Sequence, residues 1–195
     1  VVLAPGIEKG PDRVKPRRVG KAIRTFDICS VTAAPAFYER LLSAGMTLPG
    51  VQRAYAGGAP VFPSFMRRLG ASLPDGEVVG VYGSSEAEPI AELPLSELSG
   101  EDEARVRAGD GLPAGRPVDS IRLRLEADEI LVAGPQVLTG YLDGVGDAEN
   151  KVRGNDGAVW HRTGDAGRLE EDGRLWLLGR CSARQEDLFP FAVEA

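Results

Sequence analysis

The chain has 195 residues, 43% hydrophobic and 27% charged, with a formal net charge of −6 and a sequence pI near 5.0. That length and apolar content can bury a good core, as one domain or two small subdomains. The acidic balance argues against non-specific binding to nucleic acid or an anionic membrane, while leaving room for a local basic cleft.

In chain order, Val1 to Ala4 reads as a short buried strand, and Gly6 to Pro16, polar and broken by Pro and Gly, as loop. From Arg17 to Phe26, Val19, Ile23 and Phe26 fall at i, i+4 and i+7, one face of a helix. Asp27 to Thr32 is a short strand. Pro35 then opens a helix whose apolar face is Phe37, Leu41 and Leu42 and which Gly45 stops. Val51 to Tyr55 resembles a strand, Pro63 opens a helix carrying Phe65, Met66, Leu69 and Leu73, and Glu77 to Tyr82 is a strand. This alternation predicts an α/β fold, a mainly parallel sheet with packed helices, in which ligands sit beyond the carboxyl ends of strands. Gly57-Gly58-Ala59-Pro60 and Tyr82-Gly83 lie at such ends.

After Ile90 the pattern changes. Ser96 to Ala108 is a charged helix with Glu101, Asp102 and Glu103 on a solvated face. Beyond Gly115-Arg116-Pro117 the period becomes two: Ile121, Leu123 and Leu125 alternate with Arg122, Arg124 and Glu126, and Glu129 to Ala133 follows. Arg168 to Leu178 is a hairpin with Asp172-Gly173 at its turn. The division expected is an α/β nucleotide-binding subdomain over 1–110, a small antiparallel, barrel-like β subdomain over 111–180, and a hinge leading to a further domain over 181–195.

Cys29 and Cys181 are far apart without metal-ligand spacing, so a reduced, cytoplasmic setting is expected. No apolar run is long enough to span a membrane. The opening Val1-Val2-Leu3-Ala4 has no initiator methionine or leader pattern and reads as the middle of a longer chain.

Chemistry concentrates in Val79 to Glu86. A β-branched run ends at Tyr82, then Gly83, Ser84, Ser85 and a single carboxylate, Glu86, follow. An aromatic face suits a nucleobase, hydroxyls and free N–H groups suit phosphate oxygens, and a carboxylate holds a hard divalent cation. The same eight residues equally describe a strand-to-loop turn with capping serines. In Trp160 to Asp165, His161 is the sole histidine, and with no visible acid or nucleophile partner it is not assigned as a base. Asp165 can accept two hydrogen bonds from vicinal hydroxyls such as those of a ribose, or be an ordinary turn aspartate.

Five motifs in order decide between these alternatives: Gly57-Gly58-Ala59-Pro60, Tyr82-Gly83-Ser84-Ser85-Glu86, Gly134 to Leu142, His161-Arg162-Thr163-Gly164-Asp165 and Asp172 to Arg180. Their series resembles the acyl-adenylate-forming (AMP-binding) superfamily of AMP-dependent synthetases and ligases, from Val1 to about Arg180. Gly57 to Val61, Ala87 to Ala91 and Val159 to His161 look most like the fatty acid CoA ligase branch that includes the olefin β-lactone synthetases.

The resemblance implies that Gly58, Ala59 and Pro60 line an adenine pocket, that Tyr82 stacks on the base and that Gly83 allows close approach beside it. Ser84 and Ser85 would serve the phosphates, with Ser85 where the family usually has threonine. Glu86 resembles the magnesium ligand, Asp165 the ribose acceptor and Arg180 a second contact to ribose or phosphate. The implied reaction joins a carboxylic acid to ATP, releases pyrophosphate and passes the acyl-adenylate to a thiol such as CoA.

Several family features have no counterpart. The phosphate loop ending in Pro-Lys-Gly should precede Val1, the catalytic lysine of the C-terminal lobe should follow Ala195, and Ser182 stands where the hinge has an acid or lysine. Phe189 to Glu194 looks like the start of the next lobe. The chain is therefore expected to be a fragment of an N-terminal lobe with no complete catalytic set, inactive alone and completed by the other lobes of its parent. The alternatives are a β-lactone synthetase fragment and a non-catalytic nucleotide- or partner-binding module; no nucleic-acid partner is expected.

Overall fold

Proline opens three helices in the first part of the chain: α1 (Pro16–Thr25), α2 (Pro35–Leu42) and α3 (Pro63–Gly70). At the first helical position its fixed φ suits the helix and its missing N–H costs no hydrogen bond. The computed structural model describes residues 1–184 and Phe191. The expected start of a further lobe at Phe189 to Glu194 lies, apart from Phe191, outside the described residues.

The described chain forms two compact units, Val1–Val81 with Pro94–Leu98, and Tyr82–Leu93 with the residues from Ser99 onward. This grouping follows contacts, whereas the division at 110 and 111 followed the change of sequence period.

In the first unit, β1 (Ser30–Ala33), β2 (Arg53–Ala56) and the start of β3 (Glu77–Ser84) pair in parallel, with Val31 opposite Ala54 and Ala54 opposite Val78. The alternation of strand and helix thus yields the expected α/β arrangement, since parallel neighbours need a crossover and the helices supply it. Buried Phe37, Tyr38, Leu41, Phe65, Met66 and Leu69 come from α2 and α3. The Tyr38 hydroxyl lies 2.7 Å from the Val31 carbonyl and 2.9 Å from that of Tyr55, which ties α2 to β1 and β2. Burial pushes its pKa well up, so it remains a donor.

Three local readings change. Val1 to Ala4 is not a strand: no neighbour among the described residues pairs with it, and Val1 and Leu3 are exposed. Gly6 to Pro16 holds two short 3-10 turns, Ile7–Lys9 and Pro11–Arg13. Phe26 does not continue the buried face of α1; it caps the helix and is 60% exposed.

In the second unit the strand order is β4 (Ala87–Pro94), β5 (Leu112–Pro117), β10 (Leu175–Arg180), β9 (Val159–Leu169), β7 (Glu129–Ala133) and β6 (Arg122–Glu126), with β8 (Lys151–Arg153) also on β9. These pairings are antiparallel, as the period of two predicted. After Glu129, β7 is apolar because both its faces are covered. Ile130 and Val132 join one core cluster with Ile90 and Leu175, and Leu131 and Ala133 join another with Trp160.

The charged helix is shorter than expected, α4 (Gly100–Arg107), and its acids are not all solvated. Asp102 is 1% exposed. It accepts from the Ser99 backbone amide at 2.9 Å while Ser99 Oγ accepts from its amide at 3.0 Å, a capping box that needs the acid turned inward.

Candidate functional site

The carboxyl ends of β3 and β10 and the middle of β9 bring the central candidates together within the second unit. Asp165 and Arg180 are register partners across the β9–β10 pair, and Arg180 Nη1 donates to Asp165 Oδ1 at 2.8 Å and to the Thr163 carbonyl at 3.2 Å. Tyr82 Oη donates to Asp165 Oδ2 at 2.9 Å. The carboxylate is thus fixed by a donor on each oxygen and keeps further lone pairs for a ligand. Burial, then the Asp165 charge, pushes the Tyr82 pKa well up and keeps its phenol a donor.

Local structure fixes Asp165 further. Its backbone amide donates to Thr163 Oγ1 at 3.1 Å, and that hydroxyl donates to the Ile130 carbonyl at 2.9 Å. Gly164 between them has φ +71°, a conformation side chains avoid. Thr163 and Gly164 therefore aim Asp165, which lies within β9 rather than in the turn expected for it.

Gly83 has a structural reason of its own. A Cβ there would lie 2.9 Å from the Ala87 carbonyl oxygen, because β4 follows β3 after only the turn Ser85-Glu86.

Glu86 sits at that turn with a separate set of partners. Its amide donates to Ser84 Oγ at 3.2 Å, and Tyr141 Oη donates to its Oε1 at 3.1 Å. Burial alone would raise its carboxyl pKa, but hydrogen bonds from Ser84, its own backbone and Tyr141 outweigh burial and hold it below the ordinary range. The carboxyl is therefore an anion at neutral pH. Ser85 is exposed beside it. Tyr141, in the Gly134 to Leu142 motif, went unrecognised as a site residue because nothing in the sequence pairs it with an acid 55 positions earlier.

His161 is 4% exposed, with Nδ1 3.2 Å from Lys151 Nζ and 3.3 Å from the Asn150 carbonyl oxygen. Burial and then the Lys151 charge lower its pKa, and it packs among β8 and β9.

Gly58, Ala59 and Pro60 follow β2 in the first unit and are exposed, with Gly58 at φ +75°. Among the described residues no group of three or more His, Cys, Asp and Glu side chains is placed to hold a metal, and no helix is long and apolar enough to cross a membrane.

A family model described as AMP-binding enzyme matches residues 1–142. An olefin β-lactone synthetase of Xanthomonas campestris pv. campestris is 30% identical, over 90% of this chain and 36% of its own length. A 2-succinylbenzoate–CoA ligase of Bacillus licheniformis is 36% identical over 42% of this chain and 19% of its own. Among solved structures, an amide bond synthetase from Marinactinospora thermotolerans superposes with TM-score 0.69 at 25% identity, covering 91% of this chain and 37% of that one. An O-succinylbenzoate coenzyme A synthetase from Bacillus subtilis, in complex with ATP and magnesium ion, gives TM-score 0.68 at 23% identity, covering 89% and 36%. The chain thus spans just over a third of the β-lactone synthetase it matches.

Proposed function

The chain belongs to the AMP-binding enzyme family, and on that premise we propose that it carries the adenosine-holding part of an ATP-dependent ligase that activates a fatty or other apolar carboxylate. The observation that supports this most is the Asp165 carboxylate, in the middle of β9, held by Tyr82 and Arg180 from the carboxyl ends of β3 and β10.

In this reading the Tyr82 ring stacks on adenine, its hydroxyl still tied to Asp165, and Asp165 uses its remaining lone pairs to accept from ribose hydroxyls. Arg180 faces ribose or phosphate, while the Ser84 and Ser85 hydroxyls and the strand-end amides serve phosphate oxygens. The roles of Gly58, Ala59 and Pro60 beside adenine rest on the family resemblance alone.

Magnesium is compatible with Glu86, whose carboxyl is anionic and fixed by Tyr141. One carboxylate suits an ion that keeps several waters and takes its other ligands from phosphates. When bound, the ion offsets the charge that gathers as pyrophosphate leaves. In the proposed reaction a substrate carboxylate oxygen bonds to the α-phosphorus as the α–β anhydride bond breaks. A CoA thiol then bonds to the acyl carbon as AMP departs.

The chain spans just over a third of the length of the β-lactone synthetase it matches, so we place the whole reaction in a longer parent protein. A second reading, β-lactone formation from a β-hydroxy acid without CoA, is favoured by the 30% identity to the Xanthomonas enzyme. Product analysis of the parent with ATP, magnesium and matched plain and 3-hydroxy fatty acids tests both. Acyl-CoA formation dependent on CoA supports the ligase, a CoA-independent β-lactone supports the second reading, and no ATP turnover with any acid contradicts both. We also place the protein in the cytoplasm, since both of its cysteines are free.

A further inference from the structure

The acidic whole conceals a basic face. Between Asp12 and Asp27 the chain carries Arg13, Lys15, Arg17, Arg18, Lys21 and Arg24 and no acid. All six are exposed, and none forms an ion pair among the described residues. Elsewhere in the same unit Arg68 pairs with Glu39 and Arg53 with Glu77.

Helical geometry gathers four of them. Arg17, Lys21 and Arg24 recur at i, i+4 and i+7 along α1, with Arg18 beside them, while Val19, Gly20 and Ile23 turn inward. The inward face is committed to packing: a Cβ on Gly20 would come within 2.7 Å of Met46 Cε. α1 therefore presents charge outward without being free to insert its apolar side elsewhere.

We propose that this face adsorbs the protein onto a lipid surface bearing anionic headgroups. Clusters of this many Lys and Arg on an amphipathic helix suit anionic lipid. Their freedom from neighbours suits a fluid array of headgroups, whereas a specific protein partner is favoured by charges already fixed in place. The net charge of −6 does not oppose this at physiological salt, because acids farther than about 8 Å from the face are screened. The inference stands apart from the nucleotide reading and survives its failure.

The test is flotation of this chain with vesicles of phosphatidylcholine, alone or mixed with phosphatidylglycerol, at about 0.1 M salt. The expected result is partition onto the anionic vesicles only, released as salt approaches about 1 M. Arg17→Gln with Lys21→Gln and Arg24→Gln keeps helix propensity and should lower partition roughly 100-fold, at about fivefold per cation. Lys21→Gln alone should lower it about fivefold, which keeps the test sound should the triple variant misfold. Arg107→Gln, on α4, should leave it unchanged. Equal partition onto neutral vesicles, or undiminished binding by a triple variant with the wild-type circular dichroism spectrum, overturns the proposal. Binding of poly-glutamate without binding of anionic vesicles also overturns it, in favour of an acidic protein partner.

Discussion

Tyr82 and Asp165 lie 83 residues apart in sequence and are joined by a 2.9 Å hydrogen bond, one at the end of a parallel strand and the other within an antiparallel one. The ring that would stack on a base is thereby tied to the carboxylate that would hold its ribose.

That bond separates two roles of one side chain. Tyr82→Phe removes a hydrogen bond to a charged partner and should cost about 1.5 kcal/mol of stability while leaving AMP affinity within a few-fold. Tyr82→Ala also removes the stacking face and should weaken AMP by about tenfold or more, since base–aromatic stacking contributes about 1–3 kcal/mol. Denaturation together with AMP titration of both variants checks the separation.

The buried pair of Asp102 and Arg174 makes a prediction about folding. Arg174 Nη1 lies 3.0 Å from both Asp102 oxygens, while Asp102 also completes the cap of α4. Asp102→Ala should cost about 3 kcal/mol, at the low end for a broken buried pair because a fifth of the Arg174 side chain is exposed. Urea denaturation measures it.

The same residue sets an acid dependence. Burial alone would raise the Asp102 pKa, but the Ser99 backbone and then Arg174 outweigh burial and hold it below the usual carboxylate value. A depressed folded pKa stabilises fully above the unfolded value of about 3.9 and progressively less as pH falls through the folded one. Wild-type stability should therefore decline below about pH 4, and Asp102→Asn should flatten that decline in denaturation curves taken across the range.

Most of the architecture was legible in the sequence because it rests on local signals. Three prolines mark the helix starts, a period of two marks β6, and Asp172-Gly173 marks the β9–β10 turn, where Gly173 has φ +84°. β4 was not read as a strand because Pro89 interrupts it and its apolar residues lie on both faces. The acid trio on α4 was read as solvated because nothing local shows that Arg174, 72 residues on, draws Asp102 inward. Family motifs named the site residues, but only geometry showed Tyr82 bound to Asp165 and Tyr141 bound to Glu86.

Gly115 reports on the join between β4 and β5. It has φ +83°, and a Cβ there would fall 1.9 Å from the Glu92 carbonyl oxygen, so the two backbones occupy the space a side chain needs. Gly115→Ala should lose several kcal/mol or fail to fold, since strain and overpacking each cost about 1–3 kcal/mol. Soluble yield and thermal unfolding decide it.

The proposed metal role of Glu86 predicts a selective loss. Glu86→Gln keeps the shape of the side chain and removes its charge, so it should abolish the magnesium-dependent part of ATP binding and leave AMP binding without metal nearly unchanged. Titrations with and without magnesium check this, and equal loss for both ligands would assign Glu86 to the fold instead.

The most direct measurement is calorimetric titration of AMP into the chain and into the variant combining Tyr82→Ala with Asp165→Ala. An adenosine half-site already assembled on β3, β9 and β10 predicts saturable one-to-one binding by the wild type that the double variant loses. A folded wild type that takes up no AMP, or a double variant that binds it equally well, would contradict that site.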